Sequence, residues 1–257
     1  MTILDYSTGL PTTSTIKNAG YSGAIRYLRK NGASSITYLT GTERTDFANT
    51  GLDLGLIYEA PSGNRMLDGY AAGRDDAFWA LEQTKACGIF NMRSIYFACD
   101  FDIQPSQYAV ADRYLNGVSD VLGFNRTGVY AGINYIEHQK HQNLYTAWFW
   151  QTVAWSRGLV SPNVHLYQDG TQVTLDGVQC DVNVVKMPDW GQINQLQGDS
   201  MSAQDVSNIF DEFNSSAINT ANGRPDRLTP YIDNLSKRII QHLQATYPET
   251  FPAREIK

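Results

Sequence analysis

A chain of 257 residues with 42% hydrophobic content is long enough for one large domain with a full core. Its net charge of −6 gives no basic surface for nucleic acid, and no apolar run approaches membrane-spanning length. The cysteines, Cys87, Cys99 and Cys180, are scattered; they form neither a metal spacing nor a disulfide framework and suit a reducing compartment.

In chain order, the first strand is expected from Thr2 to Tyr6, with Asp5 at its end. Met1 leads straight into it without a charged segment or an apolar signal core, so no signal peptide is expected. A helix near Ser14 to Ala19 stops at Gly20. The second strand is Ser22 to Leu28, with Arg26 near its end, and a turn-rich stretch from Lys30 to Ser35 leads to a helix near Thr42 to Thr50. The third strand, Asp53 to Glu59, ends in an acid, and a glycine-containing loop from Ala60 to Gly69 follows. Next comes a helix from Tyr70 to Cys87, with apolar positions at Ala77, Phe78, Leu81 and Ala86.

The fourth strand, Ser94 to Asp102, carries the strongest chemical signal. Side chains alternate across a strand, so Ile95, Phe97, Cys99 and Phe101 share an apolar face. Tyr96, Ala98, Asp100 and Asp102 share the other, which ends in two acids. Chemistry in parallel α/β folds sits at strand carboxyl ends, where two such acids divide general acid and base or nucleophile work. Two loop acids capping the next helix is an equally open reading. After a helix from Pro105 to Leu122, a strand from Arg126 to Ala131 and a helix near Asn134 to His141, the rhythm changes. Ala147 to Trp155, Val164 to Gln168 and Gly177 to Val185 read as strands, with only turns at Ser156-Arg157-Gly158, Ser161-Pro162-Asn163 and Asp169-Gly170 between them. The pattern predicts an α/β fold: a closed TIM-like (β/α) barrel with five βα units followed by three β-strands.

Asp5, Glu59, Asp100, Asp102, Gln168 and Asp181 all fall near strand ends. Buried charges need partners, so inward acids read as a ligand site. Tyr58, Tyr96, Tyr130, Trp148, Trp150 and Trp155 supply flat surfaces for sugar rings or simply fill the core. The histidines show no zincin order, so no metal or cofactor is expected.

Leu4-Asp5-Tyr6-Ser7, Ile25-Arg26-Tyr27-Leu28, Gly55 through Glu59, Tyr96 through Asp102, Gly128-Val129-Tyr130 and Trp150-Gln151 through Trp155-Ser156, followed by Gln168 and Asp181, form an ordered series. Over residues 2 to 190 this series resembles the glycoside-hydrolase-like domain known as domain-of-unknown-function family 1906. It is similar, more distantly, to the glycoside hydrolase family 25 lysozymes, which are peptidoglycan muramidases.

The resemblance implies a catalytic set of Asp5, Asp100, Asp102 and Asp181, with Glu59 as a further acid. It implies sugar contacts from Arg26, Tyr58, Tyr96, Tyr130, Gln151, Trp155 and Gln168. Asp102 is assigned as proton donor and Asp100 as stabiliser of positive charge at the anomeric carbon. Where family 25 has Glu, this chain has Asp102, shorter by roughly 1.5 Å. Glu59 is the candidate to supply that reach. A wall-hydrolysing glycosidase and a non-catalytic glycan-binding module both follow, with bacterial peptidoglycan strands as the partner. A phage lysin, made in the cytoplasm without a signal peptide and released by a separate membrane-permeabilising protein, is the expected setting.

Domain boundaries are expected at 1–192 for the barrel, 193–226 for a polar linker with a short helix, and 227–257 for an amphipathic tail. Leu228, Ile232, Leu235, Ile239 and Leu243 recur at helical spacing in that tail and offer either docking or self-association.

Overall fold

The computed structural model describes residues 1–28, 37–60 and 62–193. The expected stretch from Lys30 to Ser35, the linker beyond Ile193, the 227–257 tail and its self-association lie outside the described residues. Chain contacts divide the molecule into Met1–Asp199 and Ser200–Lys257, and all the described residues belong to the first unit.

Eight strands close into a barrel in sequence order. They are β1 (Thr2–Asp5), β2 (Gly23–Leu28), β3 (Asp53–Tyr58), β4 (Ile95–Ala98), β5 (Thr127–Ala131), β6 (Trp148–Thr152), β7 (Leu166–Leu175) and β8 (Val178–Val185). Neighbours from β1 to β7 run parallel, while β8 runs antiparallel to both β7 and β1. The α-helices are α1 (Thr13–Asn18), α2 (Gly41–Thr50), α3 (Gly69–Ala86), α4 (Tyr108–Leu122) and α5 (Ile133–Gln142). The fold is thus mixed α/β around a closed eight-stranded barrel. Local chemistry starts the helices where the sequence places them: the Thr12 and Thr40 hydroxyls accept the Thr15 and Glu43 amides at 3.2 and 3.1 Å.

Three strands differ from expectation. β6 ends at Thr152, short of Trp155, where the Ser156 amide turns back to the Val153 carbonyl at 3.1 Å. β4 stops at Ala98, because the chain bends at Phe101 and the Ile103 amide turns back to the Phe101 carbonyl at 2.8 Å. Asp169-Gly170 is no turn. β7 runs through it with a register shift between Gln168 and Gln172, and the hairpin reverses at Asp176-Gly177, both at positive φ (50° and 77°).

Period-2 alternation sorts the side chains into two packed layers. Leu4, Leu56, Phe97 and Val129 face outward under the helices. Ile3, Ile25, Ile57, Tyr96, Tyr130, Trp150 and Leu166 fill the barrel interior, joined by Trp190. Trp190 is fully buried, and its carbonyl accepts the Tyr96 hydroxyl at 2.7 Å. Two interior strand positions are glycine because these rings occupy their space. A Cβ on Gly55 would meet the Trp190 ring at 2.4 Å, and one on Gly128 the Tyr96 ring at 2.8 Å.

Trp190→Ala should therefore lower unfolding free energy by about 3–5 kcal/mol in a denaturant titration. A loss below about 1 kcal/mol would mean that the indole is not a filler of the barrel.

Candidate active site

The parallel strands bring their carboxyl ends to one rim, and residues facing inward there surround a polar cavity of about 230 Å³. Glu59 follows β3 and Asp100 lies two residues past β4. Asp181 lies near the start of antiparallel β8, in register with Asp5 at the end of β1. Tyr27, Tyr130, Trp150 and Gln168 complete the walls. Among the described residues, no Lys or Arg lines it.

Asp5 lies almost wholly out of solvent, at 1% exposure. Three donors from three strands compensate it: Asn183 Nδ2 at 2.7 Å, Gln168 Nε2 at 3.0 Å and the Tyr27 hydroxyl at 3.1 Å. Two of these are themselves held from behind. Gln168 Oε1 accepts the Tyr130 hydroxyl at 2.7 Å and the Thr152 hydroxyl at 3.1 Å, and Asn183 Oδ1 accepts Trp150 Nε1 at 2.8 Å. Burial pushes the Asp5 carboxyl up to about 6; the Asn183 donor opposes this, the Asp181 charge adds to it, and the remaining donors oppose it.

Glu59 is partly buried, and loss of hydration pushes its carboxyl up to about 7, with the Asp100 and Asp5 charges adding to the effect. Asp100 stands at the open rim, and the hydration it loses to the cleft walls raises its carboxyl as well. One group near 7 beside a more exposed carboxylate is the arrangement that general acid catalysis requires.

Of the residues expected at the site, the structure brings together Asp5, Glu59, Asp100, Asp181, Tyr130 and Gln168. It removes the others, each for a geometric reason. Asp102 lies beyond the bend at Phe101, where strand alternation no longer applies. It is exposed beside Trp155, Asn134 and Tyr135 in a separate hollow of about 10 Å³. Trp155, at φ 58°, lines that hollow and not the cleft.

Arg26, Tyr58 and Gln151 each sit next to an inward residue on their strand or just past its end, so they point outward. Arg26 pairs with Glu43 at 2.6 Å, Tyr58 donates to Asp76 at 3.2 Å, and Gln151 donates to the Leu159 carbonyl at 2.8 Å. Tyr96 faces inward, but its hydroxyl is spent on the Trp190 carbonyl. The expected site set left out Tyr27, and it left out Asn183 although that residue shares the polar face of the last strand with Asp181. Both were legible, since each is two residues from another inward side chain, Ile25 and Asp181 respectively.

The sequence pattern that defines the Rv2525c-like, glycoside hydrolase-like domain matches residues 14–205. Rv2525c of Mycobacterium tuberculosis, described as a candidate peptidoglycan hydrolase, is 32% identical over 200 residues, covering 74% of this chain and 83% of the relative. Its crystal structure with HEPES superposes with a TM-score of 0.69, covering 74% of this chain and 98% of that one. At fold level, an uncharacterised B. stearothermophilus protein matches with a TM-score of 0.52 at 18% identity over 72% of this chain and 95% of its own. The catalytic domain of endolysin ply40, from bacteriophage P40 of Listeria monocytogenes, matches with 0.51 at 14% identity over 72% and 92%. Rv2525c is a Tat-secreted protein, which overturns the expectation of production in the cytoplasm without a signal peptide.

The raised carboxyls fix the sign of a pH effect. A group whose folded pKa lies above its unfolded value adds stability at low pH and loses it as pH rises through the folded value. Glu59→Gln should therefore raise the melting temperature at pH 8 and change it little at pH 4, as read by calorimetry. A variant less stable than wild type at pH 8 would contradict the desolvated, like-charged setting of Glu59.

Proposed function

The chain belongs to the Rv2525c-like, glycoside hydrolase-like family, and from that premise we propose that it is a lysozyme-like peptidoglycan glycosidase. The observation that carries this reading is the polar cleft that Glu59 and Asp100 line together, where burial pushes the Glu59 carboxyl up to about 7. Glu59 holds its proton near neutral pH and gives it to the glycosidic oxygen as the bond to the anomeric carbon breaks. Asp100 stabilises the positive charge left on that carbon and the ring oxygen. Water then adds to the anomeric carbon, and its proton returns to Glu59. Asp5 sets the charge beneath the pair, Asp181 flanks the cleft, and Tyr27 and Tyr130 present ring surfaces for the sugar. We read the barrel as TIM-like, with five βα units and three further strands, which agrees with chemistry at the carboxyl ends. We place its action outside the membrane, as for the Tat-secreted relative. A phage-lysin role has only the fold likeness to ply40 behind it.

A wall-glycan-binding module is the second reading, favoured by the absence of Asp102 from the cleft.

Purified peptidoglycan, incubated with the protein and followed by mass spectrometry and reducing-end release, separates the two readings. Glu59→Gln should cut the rate by about a hundred- to ten-thousandfold, and Asp102→Asn by less than about tenfold. Binding without release of reducing ends from any wall would replace the enzyme with the binding module. A severe loss in Asp102→Asn with a mild one in Glu59→Gln would return the donor to Asp102.

A further inference from the structure

One buried carboxylate lies outside the cleft and behind Glu59. Asp76, on α3, has no solvent-exposed surface. It accepts four hydrogen bonds from three side chains: the Tyr58 hydroxyl at 3.2 Å, the Tyr114 hydroxyl of α4 at 2.8 Å, and Arg65 Nε and Nη2 at 3.0 and 3.1 Å. Arg65 also reaches Asp68 at 2.8 Å. An unpaired buried charge is costly, so this cluster holds its members in one geometry.

Two of those members bracket Glu59 in sequence. Tyr58 is the residue before it, and Arg65 opens the short 3-10 turn Arg65–Asp68 that ends the following loop. The same loop reaches the second acid of the cleft: a Cβ on Gly63 would lie 3.2 Å from the Asp100 carbonyl oxygen. Asp76 thus ties down both ends of the segment that carries one cleft acid and crosses beside the other.

We propose that Asp76 is a positioning residue for the cleft, and that its bonds to Tyr58 and Arg65 hold Glu59 in its partly desolvated place beside Asp100. The proposal rests on the reading of Glu59 as proton donor for its catalytic consequence, but not for its structural one. The charged and titratable groups facing Glu59 within the cleft are Asp100, Asp5, Tyr27 and Tyr130, with Asp181 on the flanking strand. Asp76 lies on the other side of β3, paired to Arg65, so it acts on Glu59 through backbone placement.

The test is the titration of Glu59 itself, followed by carbon-detected NMR on protein carrying labelled glutamate and assigned with Glu59→Gln. Asp76→Asn is the direct variant; it leaves Arg65 with only the exposed Asp68 as its anion and carries a risk of unfolding. The double variant Arg65→Met with Asp76→Leu removes both charges of the buried pair and keeps apolar bulk, so no buried charge is left unpaired and a change at Glu59 reports geometry. The wild-type carboxyl should titrate at about 7. In the double variant it should fall by at least about half a unit toward the ordinary glutamate range, with the barrel still folded by circular dichroism. An unchanged titration in the folded double variant overturns the proposal. On peptidoglycan, the high-pH limb of the rate profile should shift down by the same amount, and kcat should fall more than KM rises. If the wild type proves inactive while Glu59 still shifts in the variant, the glycosidase reading fails and the positioning role stands.

Discussion

A carboxylate enclosed at a strand seam must be compensated by donors that converge on it. Asp5 occupies the seam where β1 meets β8. Its donors come from β2, β7 and β8, and two of them are braced by Tyr130 and Thr152 or by Trp150 from β5 and β6. Most of the barrel is thereby tied to one buried group by side chains as well as by ladder hydrogen bonds. The same burial that demands the donors raises the Asp5 carboxyl to about 6 and adds its charge to the forces holding a proton on Glu59. The scaffold and the electrostatics of the cleft thus share a cause.

Much of this is legible from residue alternation. Strand order, barrel closure and the inward acids Asp5, Glu59, Asp100 and Asp181 follow from where apolar and polar residues alternate and where helix-length gaps disappear. Sequence and structure part where alternation is extended too far or not applied. Asp102 continues the alternation of a strand that ends at Ala98, four residues earlier. Arg26, Tyr58 and Gln151 are polar or aromatic residues at the right depth, yet each neighbours an inward residue. Their polar ends serve the layer under the helices, where Glu43, Asp76 and the Leu159 carbonyl receive them. The hairpin at Asp176-Gly177 is hard to place from sequence because Asp169-Gly170 carries the same turn chemistry inside a bulged strand. Asp76 gives no signal in the sequence; next to Asp75 in α3 it reads as one more solvent-facing acid until its partners are seen.

The cleft also sorts the expected acids by their place in the barrel. Asp5 at the end of β1, Asp100 past the end of β4 and Asp181 on β8 lie around its mouth. On the proposed function the donor is Glu59, the acid that follows β3, whose carboxyl loses hydration in the cleft. Of the two side chains, Glu59 faces the cleft and Asp102 lies exposed beside Trp155.

The most direct measurement is a crystal structure of the Glu59→Gln protein with a peptidoglycan tetrasaccharide bound. With Glu59 as donor, the introduced side-chain amide should lie within about 3.2 Å of a glycosidic oxygen, the distance proton transfer needs, with Asp100 against the anomeric carbon of the same linkage. A saccharide seated on Asp102 and Trp155, with position 59 out of reach of every glycosidic oxygen, would contradict it.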